Sequence, residues 1–247
     1  MNKQTLTKLS ILSMLVFGFG HSVRGYVSYP LFEDSFSSGS LSNWNITSQN
    51  SSTASIEGED LRLSYGNGTW GSGVTMDTTS SFDISQGKYV EFTIQKVDYV
   101  EALYDNDPAH YREFGFGLGS LAYFRYGHSN SQEYLRFYVN GTKVYDSGIW
   151  PADTLVEDGR YLGFRLYEDG WEMIGPSEDG VTYSVWRQGA ATINRSVPQV
   201  VNIKIVNAND YGVKMDLDNV SLSYVPEPAT LSLLLMAGLA LVCRRKS

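Results

Sequence analysis

The chain is predicted to fold as an all-β protein, two antiparallel sheets packed face to face as a sandwich of the jelly-roll kind. Three observations predict it. Apolar residues recur with a period of two along most of the length, the spacing that places them on one face of a strand. Turn chemistry recurs throughout, with 24 glycines among many asparagines and aspartates. The 17 tyrosines and 11 phenylalanines are side chains that pack well on sheet faces. Before the last two dozen residues, no window holds an apolar stripe at helical spacing for three turns.

The first 25 residues stand apart from that pattern. Lys3 and Lys8 open the chain without an acid, and an apolar stretch of about eleven residues runs from Leu9 to Phe19. Small residues follow at Gly20, Ser22 and Gly25. This is the layout of a secretory signal peptide, too short to span a bilayer. Cleavage fits after Ser22 or after Gly25.

The body, residues 26–224, then reads as strands in order. Short ones are expected at 31–36, 43–47, 61–65 and 73–76. The clearest covers 88–97, where Val90, Phe92 and Ile94 alternate with Tyr89, Glu91, Thr93 and Gln95. A long acidic and aromatic loop is expected over 98–112, carrying Tyr99, Glu101, Tyr104, Asp105, Asp107, His110 and Tyr111; a shorter one covers 37–41. Strands follow at 113–118 and 122–126. Residues 134–139 enter Asn140-Gly141 and return through Lys143-Val144-Tyr145, the strongest hairpin signal in the chain. Residues 161–167, 171–174, 181–187, 200–206 and 213–224 complete the set. In the last of these the apolar phase slips, from Val213, Met215 and Leu217 to Val220, Leu222 and Tyr224. That slip predicts a bulge near Asp218-Asn219.

Residues 225–247 form a separate device. Val225-Pro226-Glu227-Pro228 holds the backbone extended, because proline fixes φ and disfavours helix in the residue before it. The apolar run that follows, about fifteen residues, reaches only ~22 Å as a helix, short of a ~30 Å hydrocarbon core. Arg244, Arg245 and Lys246 then form a cationic stop that favours the cytoplasmic side. In these features the segment resembles the PEP-CTERM sorting domain of surface-directed proteins in Gram-negative bacteria. The resemblance implies recognition of the Pro-Glu-Pro element by exosortase, a membrane protease, and removal of the tail. The expected route runs from export through transient inner-membrane anchoring by a single short C-terminal transmembrane helix to the cell surface or extracellular matrix.

Removing both ends changes the charge balance. The chain has 19 basic and 27 acidic residues; without Lys3, Lys8, Arg24, Arg244, Arg245, Lys246 and Glu227 the body keeps 13 and 26, a net charge of −13. Such a surface repels nucleic acid and anionic headgroups, and no nucleic-acid partner is expected. The single cysteine, Cys243, lies in the tail, so the body carries no disulfide. With about 200 residues it can bury enough surface to need none.

Three stretches of the body resemble concanavalin A-like lectin and glucanase sandwiches. They are Phe32-Glu33-Asp34-Ser35-Phe36 with Leu41-Ser42-Asn43-Trp44, Trp171 with the Ser177-Glu178-Asp179-Gly180 turn, and Asp216-Leu217-Asp218-Asn219-Val220. The resemblance implies first and last strands side by side, and from it a structural Ca²⁺ site at Asp34, Asp216 and Asp218, built of the hard oxygen ligands that Ca²⁺ takes. A Glu-x-Asp-x-Glu pattern, which would set glucanase carboxylates on one strand face, is absent. Asp216 and Asp218 come nearest to it, without a third acid. His110 and His128 are the body's only histidines, with no cysteine beside them, so zinc is not expected. Trp44, Trp171 and Trp186 are expected inside the sandwich. Trp70 and Trp150 sit in loop-like contexts and, with Tyr104, are the candidates for stacking on sugar rings. The expected function is that of a non-enzymatic surface or matrix protein binding polysaccharide. The alternative is a glycoside hydrolase on the same fold with atypical carboxylates.

Overall fold

Fifteen strands arise where the sequence alternates, all pairing antiparallel, in a computed structural model that describes residues 28–49, 52–65, 73–101, 112–129, 132–151, 159–176, 183–207 and 213–226. Trp70, Tyr104, Glu227, Pro228, Arg244, Arg245 and Lys246 lie outside the described residues, as do residues 1–27, where a signal peptide is expected, and the apolar run after Pro228. Among the described residues no helix is long and apolar enough to cross a membrane.

The strands form two sheets. One has eight, in the spatial order β13 (Tyr183–Ala190), β12 (Gly170–Pro176), β11 (Arg160–Leu166), β6 (Tyr89–Glu101), β15 (Val213–Val225), β4 (Asp60–Tyr65), β3 (Thr53–Glu57), with β1 (Tyr29–Asp34) also paired to β15. The other has seven: β10 (Thr142–Asp146), β9 (Gln132–Val139), β8 (Ala122–Ser129), β7 (Arg112–Leu118), β14 (Val201–Asn207), β5 (Val74–Thr78), β2 (Trp44–Ser48). First and last strands do lie side by side, Tyr29 opposite Tyr224 and Asp34 opposite Val220.

The inward phases meet in an aromatic cluster that joins the sheets. Phe164 of β11 stacks on Phe92 of β6 at 5.1 Å, and it touches Phe137 of β9 at 5.2 Å and Phe124 of β8 at 5.7 Å. Trp171 meets Phe137 edge-on at 5.4 Å. Trp44 and Trp171 are buried, and Trp186 packs partly buried against the core, as the strand pattern predicts.

Local features follow their residues. At the β9–β10 hairpin both Asn140 and Gly141 have positive φ, 50° and 73°, as a two-residue turn matched to strand twist requires. The phase slip in β15 is real. Asp218 faces Gln95 while Ser221 faces Thr93, so one residue is extra, and Asn219 takes φ 47° to absorb it. Met215 and Leu217 before the bulge, and Val220 and Leu222 after it, are all buried.

Two expectations fail. Strand β3 was not foreseen: Thr53-Ala54-Ser55-Ile56-Glu57 has only one large apolar residue, and it forms because β4 offers an edge to pair with. The loop expected over 98–112 is shorter, since β6 continues through Asp98 to Glu101, held by pairing with Val213–Asp216 of β15. At the other end β15 runs through Val225, whose carbonyl accepts the Lys88 amide at 2.6 Å.

Candidate functional site

In a sandwich one face of each sheet fills the core, and the other is available to a ligand. On the seven-stranded sheet that outer face carries a patterned set of polar and aromatic side chains. The register of its strands arranges them in three transverse rows. In the first, Glu113 of β7 stands opposite Gly127 of β8, which stands opposite Tyr134 of β9. The second runs Thr75, Lys204, Gly115, Arg125, Arg136, Asp146. The third runs Asn45, Asp77, Asn202, Gly117, Tyr123, Tyr138, Lys143.

Glycine shapes this surface. A Cβ at Gly127 would meet the Tyr134 ring at 2.2 Å, so the missing side chain is what lets that ring lie flat on β8. The phenol then donates a hydrogen bond to Glu113. Burial first, and the Glu113 bond and charge next, push the Tyr134 hydroxyl well above the usual phenol range, so it remains a donor. Glu113 is itself 5% exposed. It also meets Arg136 Nη1 at 3.4 Å and Arg125 Nη1 at 3.5 Å, and Arg136 lies over the Tyr134 ring at 4.2 Å. Tyr123 and Tyr138 stack at 4.8 Å, nearly parallel at 5°. Arg125 lies over the Tyr138 ring at 5.3 Å, and Lys204 Nζ over Tyr123 at 5.7 Å. At the far side Asn202 donates to Asp77 at 2.5 Å.

This face was not singled out from the sequence. Its signal was present in the polar phases, Tyr123-x-Arg125 and Tyr134-x-Arg136-x-Tyr138, beside the alternating Gly115-x-Gly117. What was missing was the register that lines up four strands.

The three aspartates expected at a Ca²⁺ site each meet different neighbours. Asp34 accepts the Trp44 indole N–H at 2.8 Å and the Phe36 amide at 2.9 Å, pinning the start of the chain to the core. Asp216 takes a two-pronged bond from Arg62, at 2.7 and 2.5 Å. Asp218 accepts the Asn219 amide at 2.6 Å. Burial, outweighing that bond, raises Asp218 above the usual carboxylate range, with Asp60 and Glu59 adding to it. The three carboxylates each have their own partners, and among the described residues no group of three His, Cys, Asp or Glu side chains is placed to hold a metal ion. Trp150 is 47% exposed. It is bridged to Glu133, whose side chain is buried on the inner side, so Trp150 borders the sheet edge rather than the Tyr123–Tyr138 face. Trp70 and Tyr104 lie outside the described residues.

No family model matches the chain, and no curated protein is similar to it in sequence. Among solved structures it is similar to the CBM2 module of the evolved Dit of Lactobacillus casei BL23 phage J-1, with TM-score 0.58 and 13% identity over 81% of this chain and 97% of that one. It is similar to the metal-free VIP36 exoplasmic/lumenal domain, with TM-score 0.54 and 9% identity over 80% and 93%. It is also similar to the apo Crh5 transglycosylase, with TM-score 0.51 and 12% identity over 78% and 83%. The fold is therefore that of lectin, carbohydrate-binding-module and glycosidase jelly rolls, and at these identities the likeness is one of fold alone.

Proposed function

We propose that this is an exported surface or extracellular-matrix protein whose sandwich binds polysaccharide on the outer face of the seven-stranded sheet. The observation that carries it is the Tyr123–Tyr138 stack, a half-buried aromatic platform on the outer face, set in one row with Asn202 and Asp77 and flanked by charged donors. Flat apolar rings meet the CH faces of sugars, while Asn202, Asp77 and Lys143 offer directional bonds to hydroxyls. The fold neighbours support this reading: one is a carbohydrate-binding module, and VIP36 was also solved with Ca²⁺ and mannose bound.

Binding rather than hydrolysis suits this face. A glycosidase flanks one glycosidic bond with two carboxylates about 5 to 9.5 Å apart. Glu113 and Asp146 are close, but both bond Arg136, whose guanidinium stands between them. Asp77 lies two rows from Glu113, four residues and about 13 Å along the strand direction.

Replacing Tyr123 and Tyr138 together by alanine is expected to weaken retention on insoluble polysaccharide roughly tenfold, with the fold kept and the melting temperature lowered by only a few degrees, because both rings lie outside the core. A pull-down across a panel of glycans measures it. Equal retention by the double variant would reject the face as the site.

For the tail, we propose exosortase processing at Val225-Pro226-Glu227-Pro228, with the cationic stop Arg244, Arg245 and Lys246 holding the precursor in the membrane. The Ca²⁺ site at Asp34, Asp216 and Asp218 has support only from Ca²⁺-bound fold neighbours, since those carboxylates are engaged elsewhere. Glu227→Ala should leave full-length protein in the membrane fraction, whereas wild type loses the tail. Intact-mass spectrometry of both reads the result, and a wild-type species still ending in Ser247 would sink the sorting reading.

A further inference from the structure

The second row poses a physical problem for a protein whose body carries a net charge of −13. Arg125 and Arg136 are directly opposed on neighbouring strands, an arrangement in which like charges repel. Two strands from Arg125, about 9.6 Å across the sheet, Lys204 occupies the same row with Gly115 between them. Three cations thus stand in line.

Their compensation is incomplete. Glu113 reaches both arginines only at 3.4 and 3.5 Å, long for charge-assisted bonds, and it also accepts the hydrogen bond from Tyr134. Asp146 is shared between Arg136 and Lys143, and Asp77 is turned to Asn202. Arg125 Nε is buried and has no hydrogen-bond partner. Lys204 is half-buried over the Tyr123 ring. Burial first, and then the nearby Arg125, hold its ammonium below the ordinary lysine range, against an opposing pull from Asp77. A row of cations that repel one another, partly desolvated and short of acceptors, is poised to accept anions. The tyrosine stack runs alongside it in the next row, one step along the strands.

We infer that the row Lys204–Arg125–Arg136 binds the carboxylates of an acidic, uronate-bearing polysaccharide while the Tyr123–Tyr138 stack takes the faces of its sugar rings. This rests on the glycan-binding reading above and names the class of glycan. The guanidinium fork matches a carboxylate in plane and spacing, and the two-strand gap between Lys204 and Arg125 suits successive same-side carboxylates of an extended sugar chain. The acidic surface around the face then acts as a filter. Dense polyanions such as nucleic acid are repelled by the body, whereas a flexible chain can lay its charges on the row alone.

The test uses the secreted protein with polygalacturonate, the same polymer with its carboxyls methyl-esterified, and a neutral β-glucan, measured by affinity electrophoresis and calorimetry. Polygalacturonate should bind, and its affinity should fall about seven- to twentyfold between 50 and 200 mM salt if two to three charges are neutralised. Esterification should weaken binding tenfold or more. Lys204→Gln, which removes a charge without touching the core, should cost about tenfold on polygalacturonate, and Arg125→Gln at least as much. Equal binding of the acidic and esterified polymers, or full affinity in Lys204→Gln, overturns the acidic-glycan inference and leaves glycan binding standing. Binding to none of the three polymers overturns both.

Discussion

Phe164→Ala is expected to destabilise the sandwich by about 3–5 kcal/mol, lowering the melting temperature by about 10 °C. The magnitude follows from where the ring sits. Phe164 is fully buried, comes from the eight-stranded sheet, and contacts Phe124 and Phe137 of the other sheet as well as Phe92 of its own. Truncation removes an aromatic side chain's worth of apolar burial and leaves a void at the seam between two layers. Neither backbone can move in to fill it, because each is held by its own ladder. Phe164→Leu, which keeps most of the volume, should cost less than half as much. Urea denaturation at constant m-value measures both. A loss under about 1 kcal/mol for the alanine variant would mean that the sheets do not share this cluster.

Glu113→Ala should come next, at about 2–3 kcal/mol. This carboxylate is nearly buried and, among the described residues, is the acid that reaches both Arg125 and Arg136. Removing it leaves two opposed guanidinium groups facing each other and takes the acceptor from the Tyr134 hydroxyl, so the cost is chiefly that of stranded partners rather than of lost attraction. The arginine side chains are about one-third exposed, and water screens part of the penalty. A second substitution provides the check. Adding Arg125→Leu to Glu113→Ala should recover roughly half of the loss, since it removes the repulsion the first change exposes. If the double variant is less stable than the sum of the two single changes, the opposed-charge account fails.

The two substitutions probe different kinds of legibility. Phe164 could be assigned to the core from its neighbours alone, because Leu162, Phe164 and Leu166 alternate with Gly163 and Arg165. The Asn140-Gly141 turn and the β15 bulge were also readable, the first from turn chemistry and the second from a slip in phase. Strand β3 was not, because a short edge strand built on Ala54 and Ile56 draws its stability from β4 rather than from its own pattern. Glu113 shows the opposite limit. Its sequence context marks it as the polar phase of a strand and nothing more. Arg125 reaches it from β8, and Tyr134 and Arg136 from β9.

By itself the sequence determined what is local. It set the period-two strands, the turns, the bulge and the inward residues, because each depends on backbone preference and on solvent aversion within a few residues. It also set the two unusual ends and the acidic balance between them. Only the tertiary structure decided that Lys204, Arg125 and Arg136 share a row beside the Tyr123–Tyr138 stack, and that Asp34, Asp216 and Asp218 each take a partner of their own. Those outcomes depend on the register between strands far apart in the chain. Register is chosen by the fit of both sheets against one core, and no single segment carries that information.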